Sequence, residues 1–299
     1  MAAQQTPEYL AIGHVTVDLL PDGSPVLGGA ALYGALAAAR FGLRAAVLTR
    51  GNFSRHGESI DRQLSRLAGE VEFIVQDAND PTVFTNVTVA DRRRQTIHAW
   101  AGPIDLSGLP PTWRSASIVH LAPVAQEIDA RQAGRLSPGY FGATPQGWMR
   151  QWQSSRGGVV TLTPLRLPTE VVSRLDAMVV NAEEHTLARD DLEVVGRRGV
   201  VAITRGAAGA QVLDRGRALD VPAFPVSVVD DVGAGDVFGA VLFILRASHE
   251  PTSLAARTAA AAAALKVQGH GLEAVPTREA VEEFLVEVAE RGPGRARRG

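Results

Sequence analysis

The sequence predicts an α/β fold in which a mainly parallel sheet is covered by helices. Short apolar or β-branched runs alternate with helix-period segments over residues 9–75 and again over 177–204, the rhythm of βαβ units. Three helical segments then close the chain. With 299 residues the chain allows one large α/β domain or two modest ones, and 45% hydrophobic with 21% charged residues is ordinary for a soluble globular protein.

Residues 9–13 form a short buried run and predict the first strand. Residues 15–18 alternate and meet Pro21-Asp22-Gly23-Ser24, which predicts a hairpin. Gly28-Gly29 introduces an Ala/Leu-rich helix that reaches Phe41 and is stopped by Gly42. Residues 45–49 read as a strand. Ile60, Leu64 and Leu67 recur at helical spacing, and residues 71–75 return as a strand. Residues 82–90 and 95–100 are β-prone and break the rhythm. Joined by Asp91-Arg92-Arg93-Arg94, they predict an inserted polar hairpin. Residues 118–121 restore the buried-strand pattern, whereas residues 137–156, rich in Gly, Pro and Trp, take no assignment. Residues 159–163, 177–180 and 200–204 predict further strands, and 210–213 with 218–221 a β pair across Asp214-Arg215-Gly216. The closing helices span 233–248, 253–267 and 277–289, and the alanines at 259–264 read as tight helix packing. Residues 291–299 mix Gly, Pro and Arg and are expected to form a mobile tail. No repeat and no long linker divides residues 1–299.

Composition excludes several chemistries. Cysteine is absent, which removes disulfides, thiolate metal sites and a cysteine nucleophile, and fits a reducing, cytoplasmic setting. A formal charge of −2 gives no reason to expect nucleic acid or an anionic membrane as partner. Residues 1–8 are polar, so no signal peptide is expected, and the most apolar stretch, 237–245, is too short to span a bilayer. No spacing of His, Asp and Glu suggests a transition-metal site. No Gly-x-Ser-x-Gly elbow supports a hydrolase triad. His14 and His98 fall in or beside predicted hairpins and read as solvated. The four tryptophans read as packing residues.

The most informative run is Val228-Val229-Asp230-Asp231-Val232-Gly233-Ala234-Gly235-Asp236. A β-branched stretch turns through two glycines and opens an apolar helix with Asp236 at its start. Such a junction aims backbone N–H groups and the positive end of a helix dipole at one spot, with a carboxylate beside it. An anion cradle next to a general base suits phosphoryl transfer to an alcohol. The run is neither a Walker pattern nor a dinucleotide fingerprint. Asp236 also reads as a carboxylate that any helix dipole favours.

Four ordered segments resemble the ribokinase-like (PfkB) carbohydrate kinase family. They are Asp18 followed by Gly28-Gly29 and a small-residue helix; Asn181-Ala182-Glu183-Glu184, like Asn-x-x-Glu; Thr204-Arg205-Gly206-Ala207-Ala208-Gly209, like Thr-x-Gly-x-x-Gly; and the run ending at Asp236, like Asp-Thr-x-Gly-Ala-Gly-Asp. The resemblance implies a three-layer α/β/α domain with a mainly parallel central sheet and a small β lid, built from residues 15–26 and 82–100. It implies transfer of the γ-phosphoryl of ATP, with Mg²⁺, to a hydroxyl of a small polyol, sugar or nucleoside. Asp236 would be the base, and the amides of Gly233, Ala234, Gly235 and Asp236 the anion hole. Asp18 with Gly28, Gly29 and Tyr33 would hold the acceptor. Asn181 and Glu184 would act through water on Mg²⁺ and the triphosphate, although Asn181 reads equally as a helix N-cap. Thr204, Arg205, Gly206 and Gly209 would line the phosphates, and Val226, Ala263, Val267 and Gly269 the adenine. A homodimer through the lid is also implied.

The chain departs from the family pattern at three places. Asp231 stands where a threonine usually shapes a monovalent-cation site, which argues against K⁺ dependence. Tyr33 replaces an asparagine of the sugar pocket, and Arg50-Gly51-Asn52-Phe53 replaces a Gly-Asp-Asp turn. The Gly-Gly-Ala-Ala pattern is similar to the branch containing myo-inositol kinases. The same departures motivate the alternative of a catalytically inactive sugar- or nucleotide-binding regulatory protein on this scaffold. A nicotinamide-dependent oxidoreductase is disfavoured by the lack of an early Gly-x-Gly-x-x-Gly turn.

Overall fold

The structure, a computed structural model, describes residues 5–89, 92–154 and 157–291. Asp91 of the expected hairpin turn and the tail beyond residue 291 lie outside the described residues. Arg291 itself closes the last helix, so that helix runs further than its sequence pattern indicated.

Strand β1 (Tyr9–Ile12) is wholly buried. β2 (Thr16–Leu19) and β3 (Pro25–Gly28) form the expected antiparallel hairpin, with Asp18 opposite Val26. α1 (Ala30–Arg40), β4 (Ala45–Arg50), α2 (Glu58–Leu67) and β5 (Val71–Gln76) follow, with β4 parallel to both β1 and β5. β6 (Thr82–Val89) and β7 (Arg92–Ala99) are the inserted hairpin. Arg92, Arg93 and Arg94 lie in β7, not in its turn, which corrects the expected boundary.

β8 (Ile118–Leu121) returns beside β1. α3 (Ala130–Ala133) follows, and the unassigned stretch 137–156 contains β9 (Tyr140–Ala143), α4 (Gln146–Met149) and β10 (Arg150–Gln151). β9 is a central strand, parallel to β8 and to the later β13. Its sequence, Tyr-Phe-Gly-Ala, has no β-branched residue to betray it. The single strand expected over 159–163 is instead two short ones, β11 (Gly158–Val159) and β12 (Thr161–Leu162). β11 pairs with β7 and β12 with β10, so the chain crosses between sheets at Val160.

α5 (Thr169–Val172), β13 (Ala177–Asn181), α6 (Ala182–Leu187), α7 (Arg189–Gly196) and β14 (Val200–Thr204) continue the parallel pattern. β15 (Ala210–Asp214) and β16 (Arg217–Val221) add the expected antiparallel pair. α8 (Ala234–Ala247), α9 (Thr252–Lys266) and α10 (Arg278–Arg291) close the chain.

The large sheet runs β16-β15-β14-β13-β9-β8-β1-β4-β5, and a five-stranded sheet, β11-β7-β6-β2-β3, stands apart from it as the lid. The lid thus includes β11, which the sequence did not indicate. Alternation along the central strands feeds two cores. Tyr9, Ala11, Ala45, Val47, Ala177 and Val179 face the layer of α1, α2, α8 and α9. Leu10, Ile12, Ala46, Leu48, Met178 and Val180 face the layer around α3, α5, α7 and the wholly buried Trp113. This is the three-layer α/β/α arrangement. Small side chains at Ala255, Ala256, Ala259 and Ala262 are buried in α9 and let it pack closely on α8. Among the described residues, no helix is long and apolar enough to cross a membrane.

Candidate active site

The parallel strands end on one edge of the sheet, where α/β folds hold their ligands. Asn181 and Thr204 are register partners there, at the ends of β13 and β14. The Asp230–Asp236 loop leads into α8, and β2, which carries Asp18, belongs to the lid.

Gly233 is the N-cap of α8, with φ 81° and ψ −4°, a left-handed conformation that glycine adopts without cost. Glycine is needed here for a second reason. A Cβ would fall 2.5 Å from the Tyr33 ring, which packs on this peptide. As a glycine, the N-cap brings no capping side chain, and the space over Gly235 is open. The Ala234 amide is engaged, 3.2 Å from the Asp231 carbonyl, so the proposed anion hole is not wholly vacant in this conformation. Asp236 lies in the first turn, partly exposed, with Oδ1 3.5 Å from Gln146 Nε2.

A cleft of about 800 Å³ opens between the lid and the α1 layer. Asp18, Val26, Tyr33, Asn86, Asp230 and His270 line it. Asp236 does not; Tyr33 is the wall shared between the cleft and the Gly233 turn. Tyr33 is only 3% exposed, so it shapes that wall more than it offers surface. Asp18 accepts a 3.3 Å hydrogen bond from the Thr16 hydroxyl. Its carboxylate lies across Gly28, where a Cβ would come within 2.5 Å of Oδ2. Gly29 has φ 99° and presses on the His14 carbonyl. The Gly-Gly pair therefore makes room for the chain's own groups.

Asn181 and Glu184 form a capping box on α6: Asn181 Oδ1 accepts from the Glu184 amide at 2.8 Å, and Glu184 Oε2 from the Asn181 amide at 3.0 Å. Burial pushes the Glu184 carboxyl up, opposed by the Asn181 amide and by Arg150. The Thr204–Gly209 turn closes on itself through the Arg205 amide and the Gly209 carbonyl, 2.7 Å apart. Thr204 donates to the Val180 carbonyl at 3.3 Å, Arg205 is exposed, and the space over Gly206 is open. The Val229 and Asp230 amides both bond to the Val267 carbonyl, which ties the segment after Val226 to the end of α9. Ala263 is partly exposed on that helix, and Gly269 abuts Ala274.

Several neighbours of these residues were not singled out by the sequence. Gln146 reaches Asp236 and accepts a 2.7 Å hydrogen bond from Arg150, whose other nitrogen donates to the Val124 carbonyl. Both lie in the stretch that carried no secondary-structure pattern. His120, wholly buried, links the Tyr9 hydroxyl at 2.7 Å to Thr144 at 2.9 Å. Burial pushes the Tyr9 hydroxyl up, with the charge of Asp236 adding to it. His14 is not solvated as expected: it is fully buried and hydrogen-bonded to Thr82 at 2.8 Å, and burial holds its imidazole below the usual range. His98 stays on the exposed side of β7, 2.9 Å from the Thr85 hydroxyl.

Residues 170–278 match the family model described as pfkB family carbohydrate kinase. The fructokinase of Klebsiella pneumoniae is 26% identical over 279 residues, covering 82% of this chain and 86% of that protein. The bifunctional protein HldE of Rhodopseudomonas palustris (strain BisB5) is 32% identical over 129 residues, covering 43% of this chain and 26% of its own length. Among solved structures, a pyrophosphate-dependent kinase in the ribokinase family, complexed with a pyrophosphate analog and myo-inositol, superposes with TM-score 0.73 at 20% identity, over 94% of this chain and 100% of that one. Arabidopsis thaliana ribokinase, complexed with ribose and ATP, gives 0.68 at 19% identity over 94% and 99%. The chain thus carries a segment similar to the pfkB family of carbohydrate kinases, within a ribokinase-like fold that extends over nearly all of it.

Proposed function

We propose that this kinase transfers the γ-phosphoryl group of ATP to a hydroxyl of a small polyol, sugar or nucleoside, with Asp236 as general base. The observation that carries this reading is the α8 start: a left-handed Gly233 at the N-cap, open space over Gly235 and a partly exposed carboxylate in the same turn. These features fit a phosphate.

The ATP–Mg²⁺ complex supplies the phosphoryl group and neutralises part of its charge. Asp18 on the lid hairpin grips acceptor hydroxyls in the cleft that it lines. Asp236 Oδ takes the proton of the attacking hydroxyl, with Gln146 orienting the carboxylate. The Gly233–Asp236 amides stabilise charge on the transferring oxygens; engaging the Ala234 amide requires the turn to release the Asp231 carbonyl. Among the described residues, no three His, Asp or Glu side chains converge to hold a metal by themselves. The metal would rest chiefly on phosphate oxygens. Glu184 Oε1, the oxygen outside the capping box, would reach it through water. Thr204 and Gly206 would face the phosphates, and Val226, Ala263, Val267 and Gly269 the base.

The test is an acceptor screen over inositols, sugars and nucleosides. ATP is run in parallel with pyrophosphate, the donor named for one structural neighbour. One acceptor should turn over with ATP, and Asp236→Asn should lower kcat by about 10²–10⁴-fold with little change in KM. Undiminished turnover in that variant removes the base. Ligand binding without turnover of any acceptor would establish the regulatory alternative.

A further inference from the structure

Lysine occurs once in this sequence, at position 266; every other one of the 30 Lys and Arg residues is arginine. That single lysine is fully buried at the C-terminal end of α9. Its Nζ donates to the Asp230 carbonyl at 2.9 Å and to Asp230 Oδ2 at 3.1 Å. The same carboxylate accepts from the Gly271 amide at 2.9 Å and, through Oδ1, from the Val232 amide at 3.0 Å. Burial alone would push the Asp230 carboxyl up; the two amides and the ammonium outweigh it and hold it below the usual range. Nζ also sits 5.7 Å from the centre of the Tyr33 ring, and that ring packs on Gly233. One buried cation thus touches both the first residue of the anion-hole loop and the aromatic wall that rests on its N-cap.

An ammonium group is costly to bury unless it is paired and hydrogen-bonded. A planar guanidinium has neither its compact shape nor its rotating donors, so the arginines used elsewhere could not replace it here. We propose that Lys266 is a tethered monovalent cation. It anchors the Asp230 end of the Asp230–Asp236 loop, so the kinase needs no free monovalent cation. Lys266 is a positioning residue, acting through Asp230 and Tyr33 and not on the substrate. The inference rests on the phosphoryl-transfer reading above.

The test varies the cation. With the acceptor found in the screen, kcat of the unaltered kinase should be the same in potassium, sodium and tetramethylammonium buffers. Lys266→Met should lower kcat roughly 10–100-fold, the loss expected from a displaced catalytic loop, with a smaller change in acceptor KM. Added ammonium or potassium should restore much of it. If Lys266→Met does not fold, Lys266→Gln, which keeps N–H donors, replaces it with the same expectations. A potassium requirement in the unaltered kinase overturns the proposal. So does an unchanged kcat in the variant, or a folded variant that no cation rescues. Should no acceptor turn over, phosphoryl transfer is the reading that fails. The loop is then tested separately by calorimetric binding of inorganic pyrophosphate. Cation-independent affinity in the unaltered protein, with ammonium-restored affinity in the variant, supports the tether, and equal affinity in both overturns it.

Discussion

At the residue scale, the site depends on places where one side chain excludes another. Gly233 combines a positive φ with the Tyr33 ring 2.5 Å from where a Cβ would stand. Gly233→Ala must therefore both strain the backbone and displace the Tyr33 ring. The expected cost is about 1–3 kcal/mol for the backbone alone, with kcat falling because the first-turn amides move. Thermal unfolding together with steady-state kinetics checks this; a variant of unchanged stability and kcat would show that the turn accommodates the methyl freely. Asp18 behaves differently, because it sits on the lid and lines the cleft. Replacing it by Asn keeps its shape and removes its charge. Losing a charged hydrogen bond to the acceptor costs about 1.5–3 kcal/mol, so kcat/KM should fall roughly 10–100-fold while the melting temperature holds. A lower melting temperature with unchanged kcat/KM would make Asp18 a lid residue only.

At the element scale, the question is whether Asn181 serves its helix or its ligand. The capping box is completed by the chain's own groups, so the helix role stands on geometry. Asn181→Ala should cost about 0.5–2 kcal/mol through the lost cap. Asn181→Ser retains a cap but not the amide. If the serine variant recovers stability while the nucleotide KM stays raised, Asn181 has both roles; if KM recovers too, it is a cap alone. The same double meaning limited what the sequence could reveal. Asn-x-x-Glu at the end of a buried strand is legible as a motif, but N-cap and phosphate partner leave the same letters. The regular βαβ units and closing helices were readable because periodicity and glycine stops act locally. β9 was not, since four residues without β-branching carry no period, and its pairing with β8 and β13 is decided by the sheet. Gln146 and Arg150 were hidden with it. Lys266 did leave a signal, as the single lysine of the chain, but its partner Asp230 is 36 residues away and only packing joins them.

At the scale of the whole molecule, the two cores meet across the sheet, and the buried polar network of Tyr9, His120 and Thr144 joins β1, β8 and the end of β9 within it. His120 lies edge-on to both Tyr9 and Phe243. Burial pushes its imidazole down from the usual 6.5 to about 3. The folded state keeps His120 neutral, whereas the unfolded chain takes up a proton below pH 6.5. Between those values the unfolded state binds more protons, so stability rises with pH and the contribution is complete above 6.5. The slope from this one residue is up to about 1.4 kcal/mol per pH unit. His14, also buried with its imidazole pushed down, adds in the same direction. Asp230 acts lower: its carboxyl is held below the usual 3.8, so its contribution is present above that value and is lost on further acidification. Urea unfolding from pH 4 to 8 should therefore show stability declining steadily below 6.5. His120→Gln should flatten that decline, leaving the part due to His14, at the cost of lower stability at pH 8. Burial and the charge of Asp236 also push the Tyr9 hydroxyl up, so loosening this network should change the field at that carboxylate and lower kcat in the same variant. A His120→Gln kinase with the unaltered pH slope and unaltered kcat would show that the network neither excludes protons nor supports the base.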